Sequence, residues 1–517
     1  MFIFNYLDQG ARLSGNRTCL EDTTSSLNYH TTQRISNRFA KSLIRDGIKK
    51  GDRISIYSGN NATALACSIG IARVGAVSVQ INIRNTAEDN TKLLAQSNTK
   101  ILLYHSQFED VAQHLLHEIS SIEKIICIDK REAHLGHDLT TWLADEDTFE
   151  LSYKLDENDP ALMVFSGGTT GDPKRIMLSH KNIEVMTKTF CMELDFPEQP
   201  VFLGVAPMTH AAGCFMYPIM SVGGKIQLMD KVDPQEILQS IDRFRVSHIF
   251  LPPTVIYMLL AQENVAQFDY SSLRNFIYAA APMSTEKLKQ AIKIFGPVMT
   301  QYYGQSEAPM AICSMLPADH VDSDGNIISP NLASCGRGTS FVTVEVMSED
   351  GQILPSGDAG EIVVRSDLVM CGYEDDPEAN AEVSKFGWHH TGDIGFKNEN
   401  GFVFIVDRKK DMIISGGFNI FPSEVEQVLW QHPAIQDCAV IGVPDEKWGE
   451  AVKAVIELKT GASADTQKLI KYCRNRLSGV KTPKSIEIWD SLPRSSVGKV
   501  LKREIRARFW EHAERAI

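Results

Sequence analysis

A chain of 517 residues, 43% hydrophobic and 23% charged, is too long for one compact core and has the make-up of a soluble protein of two or more domains. A formal net charge of -13 argues against a general binder of nucleic acid or anionic membranes, while leaving room for a local basic pocket. The ten cysteines contain no Cys-x-x-Cys pair, so they suggest neither a zinc site nor a disulfide framework and fit a reducing cytoplasm.

In chain order, the start Met1-Phe-Ile-Phe-Asn-Tyr-Leu-Asp8 has no basic region and no long apolar core, so no signal peptide is expected. Leu27-Asn-Tyr-His30 reads as a short strand, and Ile35, Phe39 and Leu43 recur at helical spacing after it. The strand Arg53–Tyr57, a helix carrying Leu65, Ile69 and Ala72, and the strand Ala76–Ile81 follow. No stretch reaches the roughly 18 uninterrupted apolar residues of a membrane span. The alternation continues through the strands Lys100–Tyr104, Lys124–Ile128 and Ala161–Phe165, then Lys225–Met229, a helix over 234–245 and the strand His248–Leu251. Such βα alternation predicts an α/β fold with parallel sheets and helices on their faces. From about 335 to 406 short strands such as Phe341–Val346 and Gly360–Arg365 alternate with Gly/Asp/Asn turns, which predicts a small β subdomain. The charged run Asp407–Asp411 marks a boundary. Beyond it an α+β pattern appears: a helix Pro422–Gln431, strands Asp437–Gly442 and Val452–Leu458, a helix Gln467–Leu477 and a basic helix-like tail from Lys499.

The chemistry is concentrated in a few polar stretches. Ser166-Gly-Gly-Thr-Thr-Gly-Asp-Pro-Lys-Arg175 lies between two apolar strands. Its glycines let backbone N–H groups surround an anion, its hydroxyls are neutral donors, and Lys174 adds a point charge. It is neither a Gly-x-x-x-x-Gly-Lys-Ser/Thr loop nor a dinucleotide fingerprint. Pro207–Gly213 holds the lone His210. Tyr303-Gly-Gln-Ser-Glu307, Thr391-Gly-Asp393 and Pro493–Lys499 add a carboxylate each, or a lysine. Taken singly, each has a plainer reading: a structural histidine at His210, a helix-terminal carboxylate at Glu307, a turn at Asp393, a solvated lysine at Lys499.

Taken together and in order, these stretches, with Ala279-Ala-Ala-Pro282 and Asp407–Gly417, resemble the adenylate-forming superfamily of acyl-CoA synthetases, aryl-CoA ligases, luciferase and peptide-synthetase adenylation domains. The resemblance spans nearly the whole chain. It implies an N-terminal domain, residues 1–407, of two parallel-sheet α/β subdomains and a small β subdomain, then a mobile α+β domain, residues 408–517, with a hinge near Lys410. It implies activation of a carboxylic acid by ATP to acyl-AMP with release of pyrophosphate, then thioester formation with coenzyme A. Ser166, Gly167, Gly168, Thr169, Thr170, Gly171 and Lys174 would hold the phosphates, with Ser306 on the α-phosphate. Glu307, with Thr170, would hold Mg2+. Tyr303 would stack on adenine, with Ala280, Gln301, Tyr302 and Gly304 around the nucleotide. Asp393 and Arg408 would bind the ribose, and Lys499 would bridge the reacting carboxylate and the α-phosphate. After rotation about Lys410, Gly416 and Gly417 would line the pantetheine path, and His210 would gate the acyl pocket.

The acyl-pocket candidates Cys214, Phe215, Met216, Tyr278, Ala280, Pro309 and Met310 are mainly apolar, which points to a neutral hydrophobic acid, fatty, alicyclic or aryl, with a medium- or long-chain fatty acid favoured. An aryl-acid CoA ligase, a ligase loading a carrier protein and, in another class, a non-catalytic nucleotide binder on the same fold remain alternatives. The expected partners are the acid, ATP and coenzyme A, without nucleic acid or an integral membrane segment. The location expected is cytoplasmic, and a homodimer is admitted. Gly167, Arg175, Ala279, Ile414 and Gly416 depart from the pattern usual in the superfamily. Arg175, beside Lys174, would present an extra cation to ATP, and Lys502, Arg503 and Arg506 read as a solvated basic helix face.

Overall fold

The computed structural model describes residues 1–130, 135–166, 173–408, 411–416, 418–445, 447–477, 479–494 and 500–510. Local side chains set where its helices begin. The Asn28 side chain accepts from Thr31 N (2.8 Å) and opens the helix Tyr29–Arg45. Ser179 ends the strand Arg175–Ser179 and forms a reciprocal cap with Asn182 that opens the helix His180–Glu193. The predicted strand at Leu27–His30 is therefore shorter: the strand is Ser26–Asn28, because the cap turns Tyr29 and His30 into the helix. A helix at Phe4–Ser14 was not anticipated; it buries Tyr6, Leu7 and Ala11.

Two large mixed sheets dominate. The first, in spatial order, is Arg337–Gly338, Cys313–Met315, Met299–Tyr303, Asn275–Tyr278, His248–Leu251, Val201–Gly204, Lys225–Leu228, Thr18–Glu21 and Ser26–Asn28. The second is Gly372–Tyr373, Arg175–Ser179, Pro160–Phe165, Val77–Val79, Arg53–Tyr57, Thr99–Tyr104, Lys124–Cys127 and His137–Asp138. Their inner strands run parallel and antiparallel strands close the edges. The helices Ala62–Arg73 and His180–Glu193 share one core with both: Leu65, Ile69 and Phe190 pack with Leu20, Phe202 and Ile226 of the first sheet and Ala161, Ile176 and Leu178 of the second. The small β region is an antiparallel sheet of Thr343–Met347, Gly360–Arg365, His389–Lys397 and Val403–Arg408. The short strands Arg337–Gly338 and Gly372–Tyr373 of the predicted β region join the two large sheets instead.

Past Arg408 a separate five-stranded sheet, built on the long hairpin Ile435–Asp445 and Gly449–Leu458, forms a small domain with its own core around Val425, Leu429, Val440 and Val452. Its last described helix is Lys502–Trp510, where the basic face departs from expectation. Lys502 Nζ donates to the buried Glu426 Oε1 (2.8 Å), and Arg506 pairs with Glu450 (2.9 Å). Burial alone would lower the Lys502 pKa, but Glu426 and Asp407 raise it, so the ammonium is fixed. Only Arg503 of the three is exposed.

Candidate active site

A cavity of about 1920 Å³ opens between the two large sheets, the β region and the small domain. It sits at the carboxyl ends of parallel strands, where open α/β sheets bind ligands. The side expected to hold phosphates is bordered by the hairpin of Pro160–Phe165 and Arg175–Ser179. Ser166 closes the loop between them: its N donates to Lys174 O (3.0 Å) and its Oγ accepts from Lys174 N (3.0 Å). Gly167, Gly168, Thr169, Thr170 and Gly171 lie outside the described residues, as do Lys410, Gly417 and Lys499.

Lys174 reaches over the ring of Tyr373, with Nζ 4.8 Å from its centre. The Tyr373 hydroxyl donates to Glu307 Oε1 (2.9 Å). The phosphate-loop lysine and the candidate cation ligand thus share one aromatic residue that no sequence motif singled out. Burial and the Glu307 carboxylate raise the Tyr373 phenol pKa, so it stays a donor. Arg175 does not face the cavity loop. Its Nε donates to Glu374 Oε2 (3.0 Å) and its Nη2 to Asp375 Oδ2 (2.9 Å), while Arg53 grips the other Glu374 oxygen. The expected extra cation at ATP is therefore spent on holding the Gly372–Tyr373 strand against Arg175–Ser179.

The ribose side is built by strand pairing. Asp393 and Arg408 are cross-strand partners, with Arg408 Nε 3.5 Å from Asp393 Oδ1. Asp393 Oδ2 also accepts from the Tyr303 hydroxyl (2.5 Å) and Gln305 Nε2 (3.1 Å). Burial and Asp393 push the Tyr303 phenol pKa well up, which keeps it protonated. Gln305 also donates to Thr391 O (2.7 Å), so it ties the Tyr303–Glu307 loop to the Thr391–Asp393 turn. Gly304 has to be glycine, since a Cβ there would come within 2.3 Å of Met310 N. Ser306 is exposed to the cavity. Ala280, just past the strand Asn275–Tyr278, adopts φ +74° and is open to the cavity. Gln301 lines the cavity and accepts from the Tyr278 hydroxyl (3.1 Å). Tyr302 takes the opposite face of its strand: its ring lies on Phe190 (4.9 Å) and its hydroxyl donates to Glu193 (3.0 Å). Its side chain is packed in the core, while the residue still borders the cavity.

His210 stands where the acyl wall begins, its Nδ1 2.9 Å from Thr209 Oγ1. Asn60 fixes the preceding loop, accepting from Met208 N (3.0 Å) and donating to Met229 O (3.1 Å). Gly213 is required there, because a Cβ would meet Met208 O at 1.9 Å. The His210 ring is open to the cavity yet crowded by protein. That desolvation, with the Arg84 charge, lowers its pKa to about 4, so it is neutral near pH 7. Cys214, Met216, Tyr278, Pro309 and Met310 line the apolar wall. Phe215 does not; it is buried among Phe190, Phe202 and Phe250. From the small domain, Arg494 and Val500, which pair across the undescribed 495–499, face the cavity. The hairpin carrying Gly416 stands outside it, with Ile414 and Phe418 exposed.

A polar pocket at strand ends thus meets an apolar wall beneath a small second domain. The AMP-binding enzyme model matches residues 7–374, and the AMP-binding enzyme C-terminal domain model matches residues 424–499. The chain belongs to the AMP-binding enzyme family. It is 37% identical over 421 residues to the medium/long-chain-fatty-acid–CoA ligase FadD8 of Mycobacterium tuberculosis, covering 79% of this chain and 72% of that protein. It is 33% identical to a feruloyl-CoA synthase of an Amycolatopsis species, over 96% and 97% of the two chains. Among solved structures, the amide bond synthetase McbA from Marinactinospora thermotolerans superimposes with a TM-score of 0.88 at 26% identity, over 98% of this chain and all of that one. Among the described residues no helix is long and apolar enough to cross a membrane.

Proposed function

We propose that the chain is an AMP-forming acyl-CoA ligase acting on a hydrophobic, fatty carboxylic acid. The observation that carries this reading is the convergence on one cavity of Lys174–Tyr373–Glu307 on the phosphate side, Tyr303–Asp393–Arg408 on the ribose side and the apolar wall beyond His210. In the first step an oxygen of the acid attacks the α-phosphorus of ATP. The bond to the bridging oxygen breaks and pyrophosphate leaves. Lys174 and the loop before it stabilise the charge that builds on the phosphates. Asp393 accepts from the ribose hydroxyls, held in place by Tyr303, Gln305 and Arg408. Lys499 bridges the carboxylate and the α-phosphate.

Glu307 suits Mg2+. Its Oε1 accepts from the Tyr373 hydroxyl, which fixes the carboxylate at the cavity edge as a hard oxygen donor of the kind Mg2+ takes beside phosphates and water. The bound cation would supply charge neutralisation on the β- and γ-phosphates.

In the second step the thiol of coenzyme A attacks the acyl carbon and AMP leaves with the bridging oxygen. Rotation of residues 408–517 about Lys410 would withdraw Lys499 and bring the Gly416–Gly417 hairpin to the cavity. That the strands Ile413–Ser415 and Phe418–Ile420 lie outside the cavity while Arg494 and Val500 face it supports an adenylating arrangement. Neutral His210 gates the thiol side. Ten free cysteines support a reducing, cytoplasmic setting. The test is a panel of fatty, aryl and amino acids with ATP, Mg2+ and coenzyme A, with AMP and thioester read together. A fatty acid giving both in equal amounts is expected. Thioester from aryl acids alone would move the reading to an aryl-CoA ligase. Acyl-AMP that turns over only on a carrier protein would move it to a carrier-loading ligase, and no turnover would favour a non-catalytic binder.

A further inference from the structure

A run of buried polar groups ends on one side of the cavity. The strands Asn275–Tyr278 and Met299–Tyr303 pair in parallel with Tyr278 opposite Gln301, which brings these two side chains together. The Tyr278 hydroxyl lies 3.1 Å from Gln301 Oε1 and 2.9 Å from His320 Nε2, and His320 Nδ1 lies 2.8 Å from Leu316 O. Tyr278 and His320 are each 1% exposed, so water does not relieve them. Gln301 is half-buried and lines the cavity, two residues before Tyr303. Among the described residues its amide has no partner but Tyr278.

A carbonyl oxygen only accepts, so His320 Nδ1 carries the ring hydrogen that faces Leu316 O. Burial lowers the His320 pKa to about 4, so near pH 7 the ring holds no second proton and Nε2 is an acceptor. The donor it meets is the Tyr278 hydroxyl, which burial keeps protonated. That single proton cannot serve both His320 Nε2 and Gln301 Oε1. A half-turn of the Gln301 amide removes the conflict: its NH2 donates to the Tyr278 oxygen, and its carbonyl oxygen faces the cavity.

We infer that His320 and Tyr278 are positioning residues that hold the Gln301 carbonyl toward the nucleotide base, and so select a base with an amine at position 6 over one with an oxo group there. The inference rests on the adenylating reading above. A 6-amine donates to the carbonyl, whereas a 6-oxo group accepts and is repelled by it. An amide free to turn would serve both. His320 lies 42 residues from Tyr278, in no stretch that the sequence singles out.

The experiment compares kcat/KM for ATP and for inosine triphosphate, which carries the 6-oxo group, by fatty-acid-dependent pyrophosphate exchange in wild type, Tyr278→Phe, His320→Asn and Gln301→Leu. The ATP-to-2′-deoxyATP ratio is measured alongside as a control for the ribose side. Tyr278→Phe frees the amide and is expected to lower the ATP-to-inosine-triphosphate ratio by about tenfold. His320→Asn keeps a donor toward Leu316 O but removes the acceptor at Nε2. Tyr278 then gives its proton to Gln301 Oε1, the NH2 turns to the cavity, and the ratio falls at least as far. In both variants the 2′-deoxyATP ratio is expected to stay at the wild-type value. Added to Gln301→Leu, Tyr278→Phe should change the base ratio no further. An unmoved base ratio in Tyr278→Phe and His320→Asn would overturn the inference. So would a fall shared by the 2′-deoxyATP ratio, or a second full drop in the double variant. If one of the two variants does not fold, the other decides. Failure of the adenylating reading looks different: no nucleoside triphosphate then supports exchange in the wild type.

Discussion

At single residues, the site depends on neutral donors aimed at charges. The Tyr303 hydroxyl on Asp393 is a hydrogen bond to an ionised group, worth about 1.5–3 kcal/mol. Tyr303→Phe is expected to raise the KM for ATP by about tenfold or more at that magnitude, and an unchanged KM would separate this pair from nucleotide binding. Tyr373 couples Lys174 to Glu307, and Arg175 holds the strand that carries it. Tyr373→Phe and Arg175→Gly should each raise the Mg2+ concentration that half-saturates pyrophosphate exchange, Tyr373→Phe more. Additive effects in the double variant would mean that Arg175 does not act through Tyr373. His210 is neutral well below pH 7, so the pH profile of thioester formation should show no limb from it between pH 6 and 7. Such a limb, lost in His210→Ala, would contradict this.

At the scale of elements, the proposed function assigns the hairpin of Pro160–Phe165 and Arg175–Ser179 to the first half-reaction alone. Lys174→Ala should depress pyrophosphate exchange while leaving the conversion of supplied acyl-AMP to thioester close to wild type; equal loss of both would count against that division. The strands Arg53–Tyr57, His248–Leu251 and Gly360–Arg365 were legible to the residue because period-2 patterns and turn residues bound them. Ser166, Lys174, Glu307, Asp393 and Arg408 could be singled out from sequence because each stands in a short motif at a strand end, and they all line one cavity. What sequence left hidden is long-range pairing. Tyr373 lies in an undistinguished two-residue strand and gains its role from Glu307, 66 residues away. Arg175 looked like a free cation because Glu374 lies 199 residues on. Tyr302 sits in a motif beside Tyr303, yet strand alternation turns it into the core. Lys502 looked solvated because its spacing carries no sign of Glu426. Breaking that buried pair by Glu426→Ala would leave an uncompensated ammonium and is expected to cost about 3–5 kcal/mol, read as a lower denaturant midpoint; an unchanged midpoint would show that Lys502 reaches water.

For the whole molecule, the two large sheets form the frame, and the proposed function has the small domain move against it. Burial holds His180, His320 and His389 at pKa values of about 4 and His248 at about 3, from an ordinary 6.5. The unfolded chain therefore binds more protons as the pH falls below about 6.5, and stability drops until the folded values near 4 are reached. Glu193, Asp407 and Glu426, raised by burial, act in the opposite sense but are fewer. The unfolding midpoint temperature is expected to fall steadily from pH 6.5 to 4; a rise over that window would show that the carboxylates dominate. The central claim is that one cavity first joins the acid to AMP and then hands the acyl group to a thiol. Oxygen-18 in both carboxylate oxygens of the fatty acid tests it most directly, because the attacking oxygen stays on phosphorus when the thiol displaces AMP. One labelled oxygen in AMP, and none in pyrophosphate, for each thioester formed is the predicted result. Label in inorganic phosphate with release of ADP, or unlabelled AMP, would contradict the account.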